Sequence, residues 1–395
     1  MHAKEMSEEK FVFVINAALF DASLPLIREL KEQVNLYCIF EVYPSGPNQL
    51  RVCDADFKDR SVIDGCNIDS LQSYADYIPL EKTKIVKFGR PSSPLRHLSS
   101  ILSMKRTIEK IEPDFVYFYN VPYTAIGYLY CNSTPCATAV HDPILHSSQN
   151  NASYYEIMRK LIFKRCRHFF LFSENLIDEF AKHYSISKDK IHLTRLGAYE
   201  QLNKNKSHHQ IGEGLKLLFF GRISPYKGLR YLLEAFDIVK KRGYEDVSLT
   251  VIGGGKIETD IIDLNQPGLK VINRFYSEDE LVNELEKCDI VVCPYTDATQ
   301  SGVMMSAYAF RKPGIVSNVG GLTEMVSHNE NGFVVPPADS VALSEAIIFI
   351  RENKEVVYNW CNAIEKKYGP TGELGWKNIS SNLIKELNII RKEWK

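Results

Sequence analysis

At about 150 residues per domain, a chain of 395 residues makes two domains or three. Hydrophobic residues make up 45% and charged residues 25%, the balance of a soluble globular protein, and the formal net charge is -1, which excludes attraction of the whole surface to nucleic acid or anionic lipid. The apolar run Phe11 to Phe20 is interrupted by Asn16 and falls short of the roughly 18 residues of a membrane-spanning helix. The start MHAKEMSEEK puts acidic residues ahead of that run and does not read as a signal peptide. Nine scattered cysteines, odd in number and without a C-x-x-C, argue against a disulfide framework. A cytoplasmic enzyme is the expectation, in which the sequons at Asn132, Asn151, Asn205 and Asn378 carry little weight.

Short β-branched and aromatic runs alternate with helical patterns along the chain, the mark of parallel βαβ architecture. In the first half the runs predict strands at Phe11–Asn16, Val34–Phe40, Thr83–Phe88, Phe115–Tyr119, Ala137–His141, His168–Phe172 and Ile191–Thr194. Helices are predicted at Leu24–Glu32, Ser99–Ile111, Tyr154–Arg165 and Glu174–His183. The polar, aperiodic stretch Asn203–Gly214 reads as a linker. A second series opens with the strand Leu215–Phe220 and the helix Lys227–Lys241, whose Leu229, Leu232, Leu233, Phe236 and Val239 share one face. Strands at Ser248–Ile252, Lys270–Asn273, Ile290–Cys293, Gly314–Ser317 and Phe333–Val335 follow, with helices at Val341–Arg351, Glu355–Tyr368 and Leu374–Lys392. The fold class is therefore α/β, with two doubly wound domains over residues 1–204 and 205–373. A last helix, within 374–395, is free to cross back to the first domain. Ligands of such sheets bind where strand C-termini meet helix N-termini, and with two domains the natural site is a cleft between them.

The strongest local signal is Phe219-Phe220-Gly221-Arg222-Ile223-Ser224-Pro225-Tyr226-Lys227-Gly228, between a strand and a helix. Gly221 lets the chain turn, and Arg222 and Lys227 place two cations at a helix entrance, where an anion is favoured. A guanidinium grips phosphate in two-point fashion and an ammonium acts as a mobile point charge. The alternative is a polar loop whose cations face water. A second loop, Pro294 to Val303, is rich in small and hydroxyl residues and opens the apolar helix around Met304 and Met305. It fits phosphate or sugar oxygens, or simply a capped helix with Thr299 or Ser301 as N-cap.

Gly253-Gly254-Gly255 lacks the third glycine of a dinucleotide fingerprint, where Glu258 stands, and reads as a tight turn. Asp54-Ala55-Asp56 resembles a metal-holding D-x-D pair but lies in a turn-rich stretch and reads as a solvated acidic loop. His141-Asp142-Pro143 ends a strand, where an open sheet presents chemistry to a cleft, although a lone histidine is often structural. Arg159–Arg167 (RKLIFKRCR) is basic and amphipathic. It suits a membrane surface or an ordinary helix feeding a buried strand, and no nucleic-acid module accompanies it.

Taken in order, FFGRISPYKGLRYLLEAF, VIGGGKIE, NRFYSEDELVNELEKCDIVVCPY, TDATQSGVMMSAYAFRKPGIVSNVGGLTEMV and NGFVVPP resemble the donor domain of the glycosyltransferase family 4 group. These are retaining enzymes of the GT-B fold, in which two Rossmann-like domains face each other across a cleft. The likeness covers about Leu217 to Pro337, and the first half resembles the family chiefly through HDPILH and LFSENLIDEF. It implies transfer of a sugar from a nucleotide-diphospho-sugar to a glycan or lipid-linked saccharide, with no metal and no other cofactor. It implies that Arg222 and Lys227 hold the diphosphate beside Gly221, and that Arg274, Phe275 and Tyr276 flank the base, largely through backbone contacts. Gln300, Ser301, Gly302 and Val303 would meet sugar hydroxyls and phosphate, and His141 would sit by the transferred sugar. Family members usually carry two glutamates eight positions apart around this loop. Ser306 stands at the second position and the first falls near Ala298, with Asp297 and Gln300 as neighbours, so the loop is read as an A-T-Q-S-G-V variant. The glycine pair usual after the first strand is replaced by Asn16-Ala17-Ala18. A sugar-nucleotide epimerase of the same fold, or a sugar-nucleotide-binding protein without turnover, are the alternative readings.

Overall fold

Runs of valine, isoleucine and phenylalanine with no polar alternation demand strands covered on both faces. The computed structural model of the protein meets that demand with two largely parallel sheets. It describes residues 9–43, 48–57, 61–89, 94–121, 134–144, 152–203, 212–257 and 263–394. The sequons at Asn132, Asn151 and Asn205, the centre of the expected linker (204–211), Glu258 and the end of HDPILH lie outside the described residues. The chain divides into two units: residues 1–195 together with 376–395, and residues 196–375.

The first unit holds eight strands: β1 (Lys10–Asn16), β2 (Asn35–Val42), β3 (Val62–Asp64), β4 (Thr83–Lys87), β5 (Phe115–Phe118), β6 (Cys136–Val140), β7 (Phe169–Leu171) and β8 (Ile191–Leu193). Their order is β3-β4-β2-β1-β5-β6-β7-β8, parallel throughout except that β3 runs antiparallel to β4. β3 was not foreseen, because three residues at a sheet edge are too few to show a period. The helix Trp376–Glu393 belongs to this unit and buries Trp376, Ile379, Leu383, Leu387 and Ile390. Gln33 fastens it, donating through Nε2 to Ser380 Oγ at 2.7 Å and accepting from Ser381 Oγ at 2.9 Å.

The second unit holds β9 (Leu215–Phe220), β10 (Val247–Ile252), β11 (Leu269–Ile272), β12 (Ile290–Cys293), β13 (Gly314–Ser317) and β14 (Gly332–Val335), in the order β11-β10-β9-β12-β13-β14 and all parallel. The helix after β9 runs Leu229–Lys241 rather than from Lys227. Gly228 adopts a left-handed conformation (φ 64°) and splits off Pro225–Lys227 as a separate 3-10 turn. A Cβ there would stand 1.9 Å from the Pro294 carbonyl, so glycine is required. Glycine at the N-cap, without a side-chain cap, costs only about a few tenths of a kcal/mol. Burial of Leu229, Leu232, Leu233, Phe236 and Val239 outweighs it, at about 1.5–3 kcal/mol each.

The eight described cysteines are free thiols. Among the described residues no helix is long and apolar enough to cross a membrane.

Candidate functional site

Four loops leave the C-terminal edge of β11, β10, β9 and β12, the edge at which open parallel sheets bind ligands. Three are drawn together by glycines. A Cβ on Gly253 would lie 1.9 Å from the Gly221 carbonyl, and one on Gly255 would lie 2.1 Å from that of Ile223. Gly253 and Gly255 are thus the bed on which the Gly221–Ile223 turn rests, and only residues without a side chain permit that approach. Gly221 has φ 103°, and a Cβ there would meet Lys227 Nζ at 3.1 Å. The Tyr276 hydroxyl lies against the Gly221 backbone, which brings in the loop after β11.

Arg222 is exposed and pairs with no carboxylate among the described residues. Lys227 is half-buried, with Nζ 3.3 Å from the Tyr295 hydroxyl, to which it donates, and 5.1 Å from the centre of that ring. Burial draws its pKa below the ordinary lysine range; the Cys293 sulfur opposes this, and Arg222 adds to it. Two cations therefore lie near each other with no acid between them, an arrangement that a bound diphosphate would relieve. The Ser224 hydroxyl, buried in the same turn, has no partner among the described residues. Cys293 is fully buried, and burial raises its thiol to about 11, so it packs as a small neutral group beneath Lys227.

The loop after β12 is anchored by Thr296, whose N–H donates to the Tyr226 carbonyl at 2.8 Å. Asp297 is exposed and Gln300 half-buried. Ser301 is the N-cap of the helix Gly302–Ala309, accepting from the Met304 N–H at 3.4 Å. Gly302 and Val303 then form the first turn, whose leading N–H groups have no partner within a helix. Ser306 is buried and its hydroxyl donates to the Gly302 carbonyl at 3.0 Å, so it braces that turn from behind.

Arg274 and Phe275 are exposed, Phe275 at 94%. The Arg274 guanidinium is engaged by both Glu280 carboxylate oxygens and by the Phe275 carbonyl. Glu280 is in turn part of a capping box with Ser277 on the helix Glu278–Lys287. Arg274 thus fixes the backbone of the loop, leaving Phe275 to present its ring.

In the first unit, His141 follows β6. Its Nε2 lies 2.8 Å from the Tyr119 carbonyl, which assigns the proton to Nε2 and leaves Nδ1 the basic nitrogen. The ring stacks on Phe172 at 4.4 Å. Burial lowers its pKa, against Asp142 and the Tyr119 carbonyl, so the ring is neutral near pH 7.

Two readings from the sequence are corrected. Asp56 is exposed, as expected of a solvated acid, but lies in the one-turn helix Asp54–Phe57 rather than in a loop, and accepts from the Cys53 N–H at 2.6 Å. Arg159 does not belong to a basic surface: it is 3% exposed and donates to the Asp142 and Pro143 carbonyls. Tyr295, Ser224 and Tyr199 were missed. A Cβ on Gly302 would lie 3.3 Å from the Tyr199 hydroxyl, a proximity no local pattern announces.

Fold and site together define a two-unit α/β protein with a cation-bearing strand edge. The family model for glycosyl transferases group 1 matches residues 214–353, and that for glycosyltransferase family 4 matches residues 64–198. The chain is a GT-B chain of the glycosyltransferase family 4 group. It is 27% identical over 176 residues to the amylovoran biosynthesis glycosyltransferase AmsK of Erwinia amylovora, 42% of this chain and 43% of that protein. The chain thus spans about half the length of the curated relatives it matches. Anabaena HepE in complex with UDP and glucose has the same fold, with a TM-score of 0.68 at 14% identity over 96% of this chain and all of the other. The UDP-GlcNAc 2-epimerase of Neisseria meningitidis bound to UDP-GlcNAc also shares it, with a TM-score of 0.55 at 15% identity over 96% of this chain and 100% of that one.

Proposed function

We propose that the protein is a retaining, metal-independent glycosyltransferase that uses a nucleotide-diphospho-sugar and acts on a glycan or lipid-linked saccharide in surface polysaccharide synthesis. The observation that carries this reading is the pair Arg222 and Lys227 on the Gly221 turn, two cations with no acid between them. They supply the positive charge that a leaving diphosphate needs as the bond from its oxygen to the anomeric carbon breaks. The acceptor oxygen forms the new bond on the same face and passes its proton to the departing phosphate oxygen. Gly302 and Val303 offer N–H groups to the donor, Phe275 offers a ring to the base, and neutral His141 accepts a hydrogen bond at Nδ1 from a hydroxyl of the sugar in transfer. The polysaccharide setting is supported by AmsK, and the nucleotide class by the UDP bound in HepE. Thermal shift with a series of nucleoside diphosphates tests the first step. One of them raises Tm, by about 2.7 kcal/mol of stabilisation at a hundred times its Kd, and stabilisation by none refutes the reading.

Fold likeness to an epimerase supports a second reading, conversion of the donor sugar itself. Following the donor by NMR without acceptor separates the two, since an epimerase produces a new sugar nucleotide and a transferase releases only slow hydrolysis products.

We also place the first unit at the cytoplasmic membrane surface as a peripheral contact. The helix Ala152–Phe163 and the turn after it expose Ile157, Lys160, Leu161 and Lys164 at helical spacing, apolar and basic residues on one stripe. The protein pellets with anionic liposomes at low salt and is released at high salt, and Ile157→Asp with Leu161→Asp abolishes pelleting. Absence of pelleting at low salt removes this contact.

A further inference from the structure

Beyond the donor edge, the other polar cluster at strand ends lies in the first unit, where β2, β1 and β5 stand side by side. Asn16 ends β1 and is paired in register with Glu41 of β2. The Asn16 N–H donates to Asn120 Oδ1 at 3.0 Å, just beyond β5, and Asn16 Oδ1 accepts from the Ala18 N–H at 2.9 Å. Asn120 turns its amide toward the Glu41 carboxyl, and Tyr43 donates to that carboxyl as well. Glu41 is only 1% exposed, and its Oε1 has no partner among the described residues. Tyr119, next to Asn120, holds His141, so the cluster is continuous with the histidine assigned to the transferred sugar.

The sequence departs here from the glycine pair that would leave helix N–H groups open to a phosphate. The structure shows the consequence: Asn16 spends its side-chain amide oxygen on the Ala18 N–H, so the start of the following helical turn is capped from within the chain. An anion arriving at this edge meets amide oxygens and, beneath them, a buried acid whose neighbours Tyr43 and Asn120 bring no positive charge. A hydroxyl meets the part-exposed Asn16 amide, whose Nδ2 has no partner among the described residues.

We propose that this edge recognises an uncharged, hydroxyl-bearing sugar of the acceptor and rejects a phosphorylated one, with Asn16 making the contact and Glu41 acting as a positioning residue through Asn120. The inference rests on the transferase reading above and narrows its acceptor class. A buried carboxyl held near neutrality fits the role, because in its protonated form it adds no charge beneath a neutral ligand.

The test is calorimetric titration of the full chain, saturated with UDP, with methyl glycosides of the common hexoses and N-acetylhexosamines and with the same sugars carrying a 6-phosphate. At least one methyl glycoside binds about tenfold more tightly than its phosphorylated counterpart, a difference of about 1.4 kcal/mol. Glu41→Ala loses most of that binding, Glu41→Gln restores it, and Asn16→Gly, which frees the Ala18 N–H, narrows the discrimination. UDP binding, which belongs to the other unit, is unchanged in all three. Equal or tighter binding of the phosphorylated sugars, binding of neither series, or a Glu41→Ala protein that binds like the wild type overturns the proposal. Failure of the transferase reading shows separately, as absence of UDP or other nucleoside diphosphate binding by the wild type.

Discussion

Lys227→Met lowers kcat/KM for sugar transfer at least about tenfold, or about 1.4 kcal/mol of barrier, with Tm nearly unchanged. Methionine keeps the aliphatic stem against Tyr295 and removes only the ammonium. Because that ammonium is half-buried and already draws its pKa down beside Arg222, its charge is poorly solvated in the free protein. A diphosphate that gains negative charge on leaving therefore interacts with it more strongly than water does, and the effect falls on kcat more than on KM. Arg222→Ala produces a loss of the same order, but because Arg222 is exposed its loss shrinks at high salt while that of Lys227 does not. Steady-state kinetics at two ionic strengths check both, and unchanged kinetics in either variant remove that residue from the mechanism.

The second large effect is on stability. Burial raises the Glu41 carboxyl from 4.5 to about 7, against the hydrogen bonds from Tyr43 and Asn120, and these are the groups that face it. A raised acid binds its proton in the folded chain over a range in which the unfolded chain has already lost it. The contribution is therefore fully present below about pH 4.5, is lost as pH rises toward 7, and stays lost above. Two to three pKa units correspond to about 3 kcal/mol. Glu41→Gln, which cannot ionise, unfolds at higher urea concentration than the wild type at pH 8 by about that free energy, and the two converge near pH 5. Parallel pH dependence of the two proteins would show that Glu41 does not titrate in this range.

Much of the fold could be read because the strands that carry it are buried on both sides. Ile290–Cys293 and Gly314–Ser317 have no exposed face, so their side chains form unbroken apolar runs with sharp ends. The candidate edge was legible for a related reason: Gly228, Gly253 and Gly255 mark places where backbones touch, and such contacts leave no room for a Cβ. What stayed hidden depends on distance along the chain. Tyr295 supports Lys227 across 68 positions, and nothing near Tyr295 distinguishes it from any aromatic after a strand. Glu41 looks like an ordinary acid near a strand end until β1 pairs beside it and Asn120, just beyond β5, reaches its carboxyl. Arg159 misled for the opposite reason. Its neighbours in sequence are basic and amphipathic, but its own guanidinium turns inward to carbonyls left over where β6 ends.

The helix Trp376–Glu393 has a consequence for how the molecule is made. Its apolar face completes the first unit, yet it is synthesised only after the whole of the second. On the ribosome the early half emerges with the surface meant for that helix bare, while the later half can finish its own core first. A gene truncated ahead of Trp376 therefore injures the part of the protein encoded farthest from the cut, and the early half expressed by itself is prone to aggregate unless the helix is supplied as a separate peptide.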